Sequence, residues 1–224
     1  INQVSEGQRF YDRFRGRIMF PWHDISGNII GFSARILPQL DDGQTGKYIN
    51  SPQTMLYDKS RHIFGLWFAK GAIKEAQEAV IVEGQMDCLT AHQYGFKNIV
   101  ATSGTALTEE HLKLLKRYAG NIVLAFDMDQ AGILAADRAI ALGSQANLNI
   151  RVLHLPDGKD PDEFIRHHAP DWPEVVRQAK SIMDYYYELL RPQLMSEKIE
   201  ERKTATARFL KMISQLTSVV ERDY

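Results

Sequence analysis

The chain has 224 residues, of which 44% are hydrophobic and 25% are charged, and its formal net charge at pH 7 is −1. No apolar run approaches the roughly 18 residues of a membrane-spanning helix, and the single cysteine, Cys88, excludes an internal disulfide. Such a length can hold one large domain or two to three small ones. Because the sequence opens at Ile1 without a methionine or a signal-peptide pattern, we expect it to be part of a longer protein.

The first zone of the chain, residues 1–70, combines basic residues with short β-like runs. Residues 17–20 and 28–32 are typical of two strands. Residues 26–28 (Ser-Gly-Asn) predict a hairpin turn between them, because Gly and Asn tolerate positive φ. Residues 41–46 have the composition of a surface loop. We therefore predict a basic N-terminal subdomain of mixed structure over this zone.

Three arginines alternate in the first zone: Arg13, Arg15 and Arg17. If this segment is extended, their side chains lie on one face, where forked guanidinium groups can bind phosphates. A solvated strand face is the other interpretation, although such faces usually mix Lys, Glu and Thr. Aromatic side chains stack on unpaired bases, so Phe20 and Trp22 favour a track for single-stranded nucleic acid, although each taken singly is typical of a core.

The middle of the chain, residues 71–165, alternates apolar runs with amphipathic helical patterns, as βαβ units and a parallel sheet do. Thr108 is the predicted N-cap of one helix. Glu109 and Glu110 then lie at the positive end of the dipole of that helix. The predicted strands are residues 79–82, 99–101, 122–126 and 150–153, and the predicted helices are residues 86–94, 131–142 and the segment after Thr108.

The last zone, residues 166–224, contains no glycine and carries apolar residues at spacings of three and four. This pattern predicts two helices, over residues 172–190 and 196–220, which are separated at Pro192 and packed as an antiparallel pair or bundle. The predicted fold class is α/β (α+β overall). A parallel-sheet domain over residues 71–165 is flanked by the basic subdomain and by a C-terminal helical subdomain.

Acidic residues directly follow two of the predicted strands. Glu83 comes after residues 79–82, and Asp127 and Asp129 come after residues 122–126. Ligands of an open α/β sheet collect beyond the carboxyl ends of parallel strands, and acids gathered there repel one another unless a cation neutralises them. Carboxylate oxygens without Cys or an organised His set indicate Mg²⁺ or Mn²⁺. A surface turn is the other interpretation of the Asp pair, although the apolar run before it argues against one.

Four further residues have a structural interpretation as well as a functional one. Gly84, after Glu83, allows a sharp backbone turn and leaves room for a phosphate. Asp87 can complement a helix dipole or face the metal site. Asp160 opens an Asp-Pro-Asp-Glu pattern that matches an ordinary helix cap. Asp160 and Asp162 can also face the metal site, so both roles stay open.

Taken together, these residues resemble the catalytic core of a bacterial replicative DNA primase of the DnaG type, with its Toprim metal site, over nearly the whole chain. The Toprim acids are shared with topoisomerases and some nucleases, whereas the first two blocks beside them are specific to primases. The blocks that carry the resemblance are residues 11–21 (YDRFRGRIMFP), 47–52 (KYINSP) with Thr54, Lys59 with Ser60, the acids Glu83, Asp127 and Asp129, residues 104–108 (GTALT), and Asp160 with Asp162.

The resemblance implies synthesis of short RNA primers for DNA replication, on a single-stranded DNA template, from ribonucleoside triphosphates, with release of pyrophosphate. The cofactor would be Mg²⁺ or Mn²⁺. The implied residues are a metal-binding catalytic set (Glu83, Asp127, Asp129), further catalytic acids (Asp87, Asp160, Asp162), a nucleotide-binding set (Arg35, Lys47, Lys59) and a DNA-binding set (Arg13, Arg15, Arg17, Tyr48, Asn50).

The resemblance also implies partners and a location. Zinc is expected only in an N-terminal module of the family that lies outside this sequence. A replicative helicase and a single-strand-binding protein would be bound through other modules outside it. We expect a monomeric core without membrane association, in the cytoplasm at the replication fork of the nucleoid.

The sequence departs from the family pattern at a few positions, namely Gln85 (usually Tyr), Met128 (usually Gly) and Ser33-Ala34 (usually paired glycines). Two other functions stay open. One is another Toprim enzyme, either a topoisomerase or a nuclease, and the other is a non-catalytic nucleic-acid-binding module. Strand passage by a topoisomerase needs a tyrosine nucleophile, and the tyrosines at 185–187 are typical of a helix face.

Overall fold

The computed structural model describes residues 2–3, 10–126, 138–139, 141–143, 146–155 and 160–215. The chain divides into two compact units, one up to Asp58 and one from Lys59 onward. The division into subdomains at residues 70 and 165 stays a prediction.

The first unit is built on antiparallel strands. Two short ones, β1 (Asn2–Gln3) and β2 (Phe10–Tyr11), pair with each other. A three-stranded sheet follows in the order β3 (Arg17–His23), β4 (Ile29–Ile36) and β5 (Tyr48–Asn50). The predicted strands over residues 17–20 and 28–32 are thereby confirmed, although both extend further along the chain.

The predicted hairpin turn between β3 and β4 is also confirmed. Gly27 has a φ of +93°, the left-handed region that glycine adopts without strain. Asp24 Oδ1 accepts hydrogen bonds from the main-chain N–H groups of Ser26 (2.8 Å) and Asn28 (2.9 Å). The carboxylate therefore satisfies the donors that the tight turn leaves unpaired.

Trp22 is the centre of the first unit's core. It is fully buried and meets the Tyr57 ring edge-on at a centroid distance of 5.5 Å. Its indole Nε1–H donates to Ser33 Oγ (2.7 Å), and the Ser33 hydroxyl donates to Asn50 Oδ1 (2.6 Å). A buried indole N–H usually needs such a partner, so the core interpretation of Trp22 is confirmed.

The second unit contains the predicted parallel sheet. Four parallel strands lie in the order β7-β6-β8-β9, and a short fifth strand, β10, pairs antiparallel with β9 at the edge. The central strands are buried because parallel sheets are covered on both faces. The strands are β6 (Glu78–Val82), β7 (Ile99–Ala101), β8 (Asn121–Ala125), β9 (Asn149–Val152) and β10 (Lys180–Ser181).

Seven α-helices with defined bounds belong to the described part of the second unit. They are α1 (Leu66–Ala76), α2 (Gln85–Gln93), α3 (Glu109–Lys116), α4 (Pro161–His168), α5 (Trp172–Arg177), α6 (Ile182–Leu194) and α7 (Ile199–Gln215). Among the residues that the structure describes, none of the helices combines the length and the apolar character needed to span a bilayer.

Two helix predictions fail, and one helix was not predicted. The helix predicted over residues 172–190 is wrong, because β10 interrupts it to extend the sheet beside β9. Pro192 does not separate two helices but lies within the last turn of α6. Helix α1, which packs on β6 and β7, is absent from the predicted elements. The packing of α6 against α7 agrees with the predicted C-terminal helical pair.

Thr108 is the N-cap of α3, as its position predicts. Its side-chain oxygen accepts a hydrogen bond from the main-chain N–H of His111 at 3.1 Å. Leu112 and Leu115 of the same helix are fully buried in a core that includes Ile81 and Leu124 of the sheet. Cys88, on α2, is likewise a small buried residue, and burial raises the pKa of its thiol.

Two glycine-to-alanine substitutions should have opposite effects on stability. A Cβ at Gly31 would lie 2.7 Å from two ring atoms of Tyr57. We therefore expect Gly31→Ala to lower the free energy of unfolding by about 1–3 kcal/mol, as overpacking does. A Cβ at Gly71, in α1, would meet no atom within 4 Å, and Gly71→Ala should raise this free energy by about 0.5–1 kcal/mol. Urea unfolding measures both, and equal effects would contradict the proposed contact of Gly31 with Tyr57.

Candidate functional site

Glu83 stands at the carboxyl edge of the parallel sheet. It follows Val82, the last residue of β6, which pairs with Ala101 of β7 and with Ala125 of β8. The Glu83 carbonyl oxygen accepts a hydrogen bond from the main-chain N–H of Ser103 at 2.8 Å. The segment after β6 is therefore tied to the segment after β7, at the edge where ligands of open α/β sheets bind.

Gly84 is needed for space rather than for its backbone freedom. Its φ of −97° and ψ of 152° are open to any residue, so the expected sharp turn does not explain this glycine. A Cβ here would lie 2.6 Å from Asp87 Oδ2. The same oxygen accepts a hydrogen bond from the Gly84 N–H at 2.8 Å. Only a residue without a side chain lets this carboxylate approach so closely.

Asp87 joins the beginnings of two helices. Its Oδ2 atom accepts from Gly84 at the start of α2, and its Oδ1 atom accepts from the main-chain N–H of Asp162 in α4 at 3.2 Å. An acid in the first turn also complements the helix dipole. The structural interpretation of Asp87 is therefore confirmed, and its metal-binding role stays a prediction.

Asp160 and Asp162 both lie at the start of α4. Asp160 is the N-cap, and its Oδ1 atom accepts a hydrogen bond from Glu163 N at 2.7 Å, which confirms the predicted cap. Asp162 Oδ1 accepts from Arg166 Nε at 2.7 Å and from the hydroxyl of Thr90 on α2. Nothing in the sequence pattern marks Thr90 or Arg166, because the contact joins segments far apart along the chain.

Lys59 is held beside the same sheet edge. Its Nζ atom donates to the Ser103 carbonyl oxygen at 2.5 Å, and burial lowers the pKa of its ammonium group. Its own carbonyl oxygen lies 2.7 Å from His111 Nε2, while the Thr108 hydroxyl donates to the next carbonyl, that of Ser60, at 2.7 Å. Ser103 thus bonds Glu83 through its main-chain N–H and Lys59 through its carbonyl oxygen.

Two buried polar atoms near Glu83 have no hydrogen-bond partner within the described residues, namely Gln85 Nε2 and Ser103 Oγ. Buried polar groups are normally paired, so this surrounding fits a polar ligand such as a hydrated cation or a phosphate. The nearby acids offer hard oxygen atoms, which suit Mg²⁺ or Mn²⁺ rather than zinc. Ser103 also has a φ of +57°, an uncommon conformation for a residue with a side chain.

Asp127 and Asp129, the other two predicted metal ligands, lie outside the described residues. Their strand, β8, ends at Ala125, in register with Val82. Within the part of the chain that the structure describes, no three His, Cys, Asp or Glu side chains are grouped so as to hold a metal ion. The three-ligand set therefore stays a prediction.

The arginine track predicted in the first unit is wrong as an extended strand. Residues 13–16 form a turn, and only Arg17 belongs to β3. Arg13 Nε donates to the Asn50 carbonyl oxygen at 2.9 Å. Arg17 Nη1 donates to the carbonyl oxygens of Gly46 (3.0 Å) and Lys47 (3.2 Å). A glycine with a φ of +63° at position 16 bends the chain between them, so the three side chains do not alternate along one strand.

Arg35 and Tyr48 are neighbours across β4 and β5. They are paired in the sheet register, and the Arg35 guanidinium carbon lies 5.7 Å from the centre of the Tyr48 ring. Such stacking combines a cation with an aromatic face. Asn50 lies two residues further along β5, and its Oδ1 atom accepts a hydrogen bond from the Ser33 hydroxyl. Lys47 is exposed just before the strand. The sheet brings Arg35, Tyr48 and Asn50 together.

Comparisons with known proteins agree with this architecture. Residues 1–70 match a family model described as the DNA primase catalytic core, N-terminal domain, and residues 80–165 match a Toprim-like model. The DnaG primase catalytic domain bound to single-stranded DNA is similar with a TM-score of 0.84 and 33% identity, over 100% of this chain and 72% of that one. The primase catalytic core of E. coli gives a TM-score of 0.83 and 34% identity, over 99% and 71% of the two chains.

This chain belongs to the DnaG-type DNA primase family. The DNA primase of Clostridium acetobutylicum is 44% identical to it over 184 residues, which are 81% of this chain and 30% of that protein. The chain spans about a third of the length of the curated primases that it matches (30–36%).

Two departures from the primase pattern lie within described segments. Ser33 and Ala34 replace paired glycines, and both are buried in β4. Ser33 links Trp22 to Asn50, because its hydroxyl accepts one hydrogen bond and donates another. Gln85 replaces a tyrosine at the start of α2, where its Nε2 is one of the two unpaired polar atoms named above. Met128, the third departure, lies outside the described residues.

We expect Gly84→Ala to disturb this site of the primase fold. The new methyl group would displace the Asp87 carboxylate and break its bond to residue 84, which should lower the free energy of unfolding by about 1–3 kcal/mol. Gly120→Ala is the matched control, because its Cβ would meet no atom within 4 Å. Thermal and urea unfolding measure the stability of the two variants. A Gly84→Ala variant that behaves like Gly120→Ala would contradict the close approach of Asp87.

Proposed function

We propose that the chain is the catalytic core of a DNA primase that makes short RNA primers on single-stranded DNA from ribonucleoside triphosphates, by metal-dependent nucleotidyl transfer. The observation that carries the proposal is the similarity, over the whole of this chain, to the DnaG catalytic domain bound to single-stranded DNA. The position of Glu83 at the carboxyl edge of the parallel sheet supports it independently.

Glu83, Asp127 and Asp129 would hold Mg²⁺ or Mn²⁺ at that edge. When bound, the ions would activate the primer 3′-hydroxyl and neutralise charge on the leaving pyrophosphate. Asp87, Asp160 and Asp162 would complete the site as catalytic acids. No protein nucleophile is needed for this reaction.

Basic residues would bind the nucleotide. Arg35, Lys47 and Lys59 would contact the triphosphate or the nascent primer. For Lys59 this role agrees with its bond to the Ser103 carbonyl oxygen, which keeps the ammonium group close to the segment that holds Glu83. The lowered pKa of Lys59 reflects its partial burial.

The template would run over the first unit. The proposed contacts are Arg13, Arg15, Arg17, Tyr48 and Asn50. Arg13 and Arg17 donate to main-chain carbonyl groups through Nε and Nη1 respectively, which gives each guanidinium a fixed direction from which it would meet DNA phosphates. Arg15 is exposed in the turn before β3.

The wider setting follows from the family. We propose that the core is a monomer that works in the cytoplasm, at the replication fork, without membrane association. A replicative helicase and a single-strand-binding protein would bind other modules of the full-length primase, and zinc would belong to its N-terminal module.

A topoisomerase is disfavoured by the surroundings of its candidate nucleophiles. Tyr185 and Tyr186 are buried in α6 and pack edge-on at a centroid distance of 5.7 Å. Tyr187 is partly exposed on the same helix, whereas Glu83 lies at the carboxyl end of β6. Tyr185 and Tyr186 therefore supply packing for α6.

The Glu83→Gln variant tests the proposed chemistry. It removes one negative charge at nearly constant size, so we expect primer synthesis to fall by about 100-fold or more while folding and DNA affinity change little. The measurement is incorporation of labelled ribonucleotides on a single-stranded template with Mg²⁺. The matched control is Glu75→Gln, which removes an exposed charge from α1.

Two results would overturn the proposal. Equal results for Glu83→Gln and the unaltered chain would exclude Glu83 from the catalytic set if both make primers, and would indicate a non-catalytic module if neither does. Cleavage of the DNA without new RNA would indicate a Toprim nuclease or topoisomerase instead.

Arg15→Gln tests the template path. Loss of one phosphate contact should reduce the slope of log affinity against log salt concentration by about 0.7 for single-stranded DNA. Fluorescence anisotropy with a labelled oligonucleotide at several salt concentrations measures this slope. Lys203→Gln, on α7, removes one charge from a helix to which we assign no template contact. An unchanged slope for Arg15→Gln would remove this residue from the path.

A further inference from the structure

Four polar residues connect α2 to α4, and we call them the α2–α4 clamp: Asp87, Thr90, Asp162 and Arg166. The Thr90 hydroxyl donates to Asp162 Oδ1. Arg166 donates through Nε to the same oxygen at 2.7 Å, and through Nη2 to Thr90 Oγ1 at 3.2 Å. The main-chain N–H of Asp162 donates to Asp87 Oδ1 at 3.2 Å. The three side chains of Thr90, Asp162 and Arg166 thus form a closed ring.

The clamp continues to the residue after Glu83. Asp87 uses its second oxygen, Oδ2, to accept the Gly84 N–H at 2.8 Å. A chain of direct hydrogen bonds therefore runs from Arg166 through Asp162 and Asp87 to the turn that carries Glu83. Asp162 accepts the hydrogen bonds from Thr90 and Arg166 through Oδ1, and its main-chain N–H donates to Asp87.

Burial and geometry restrict which side chains can form these hydrogen bonds. Thr90 is only 2% exposed, and a buried polar group that loses its partner has a large desolvation cost. Arg166 binds two acceptors with one planar fork, which a lysine cannot reproduce. The geometry therefore depends on a hydroxyl at position 90 and a guanidinium at position 166.

Helix α4 begins outside the sheet, after a segment that the structure does not describe. Its main packing partner is α2, which begins directly after Glu83 and Gly84. The position of Asp160 and Asp162 relative to Glu83 is therefore set at the α2–α4 contact, where the clamp supplies the polar links.

We propose that Thr90 and Arg166 are positioning residues for the cation site of this primase core. They hold Asp162 and, through Asp87, the Glu83 turn, so that acids from two distant segments act on one cation. The proposal rests on the proposed function, because it assigns these residues to the metal site of the same reaction.

Thr90→Val and Thr90→Ser separate this role from simple packing. Valine keeps the size and loses the hydroxyl, and serine restores the hydroxyl. We expect Thr90→Val to weaken binding of Mn²⁺ alone by about 10-fold, measured by electron paramagnetic resonance of the free ion. The Mg²⁺ concentration for half-maximal primer synthesis should rise by a similar factor, with most of the rate recovered at saturating Mg²⁺. Thr90→Ser should restore both values.

Arg166→Gln gives a second test that depends little on folding, since the Arg166 side chain is 46% exposed. It should show the same shift in both metal measurements. The matched controls are Arg177→Gln, which loses an exposed ion pair with Glu174 on α5, and Thr204→Val, which loses a hydroxyl bonded within α7. Neither control should change Mn²⁺ affinity.

The outcomes separate this proposal from the proposed function. If Glu83→Gln abolishes Mn²⁺ binding and synthesis but both clamp variants bind Mn²⁺ normally, the clamp is only packing and the proposal is overturned. A lower unfolding temperature of Thr90→Val with unchanged Mn²⁺ affinity leads to the same conclusion. If Glu83→Gln itself keeps full Mn²⁺ binding and synthesis, the proposed assignment of Glu83 to the metal site fails instead.

Discussion

Val82, the last residue of β6, pairs with Ala101 of β7 on one side and with Ala125 of β8 on the other. Because both pairings are parallel, the three strands end at one edge of the sheet, and the residues that follow them emerge together. Glu83 is the first of these residues. The Ser103 N–H binds its carbonyl oxygen, so the ends of β6 and β7 stay in register beyond the sheet itself. The rest of the site is arranged around this edge.

Around Glu83, the carboxylates that bond the starts of helices are also groups suited to binding a cation. Asp87 bonds the start of α2, Asp160 caps α4, and Asp162 receives Thr90 and Arg166. Helix starts offer unpaired N–H groups and a positive dipole end, which hold carboxylates in place before any cation is bound. Acids fixed in this way lose little conformational entropy on binding an ion. The structural roles of these acids are therefore compatible with the metal-binding roles proposed for them.

In the first unit, hydrogen bonds and ring stacking hold the basic side chains. Arg13 and Arg17 bond main-chain carbonyl groups near β5, and Arg35 stacks on Tyr48. Each of these long side chains thereby has a defined direction. Ser33 strengthens this sheet by joining the buried Trp22 to Asn50. The family's usual glycine at position 33 could not provide that bond.

The sequence by itself determined the elements that depend on local pattern. These include the parallel strands, the Thr108 and Asp160 caps, the hairpin at Gly27 and the candidate role of Glu83, since period, capping chemistry and turn residues act over a few positions. Tertiary structure decided the rest. Strand β10 breaks a helical pattern because β9 offers an unpaired edge, residues 13–16 turn because Gly16 bends the chain, and Thr90 meets Asp162 across 72 positions. Such contacts arise only when distant segments pack, and no local period encodes them.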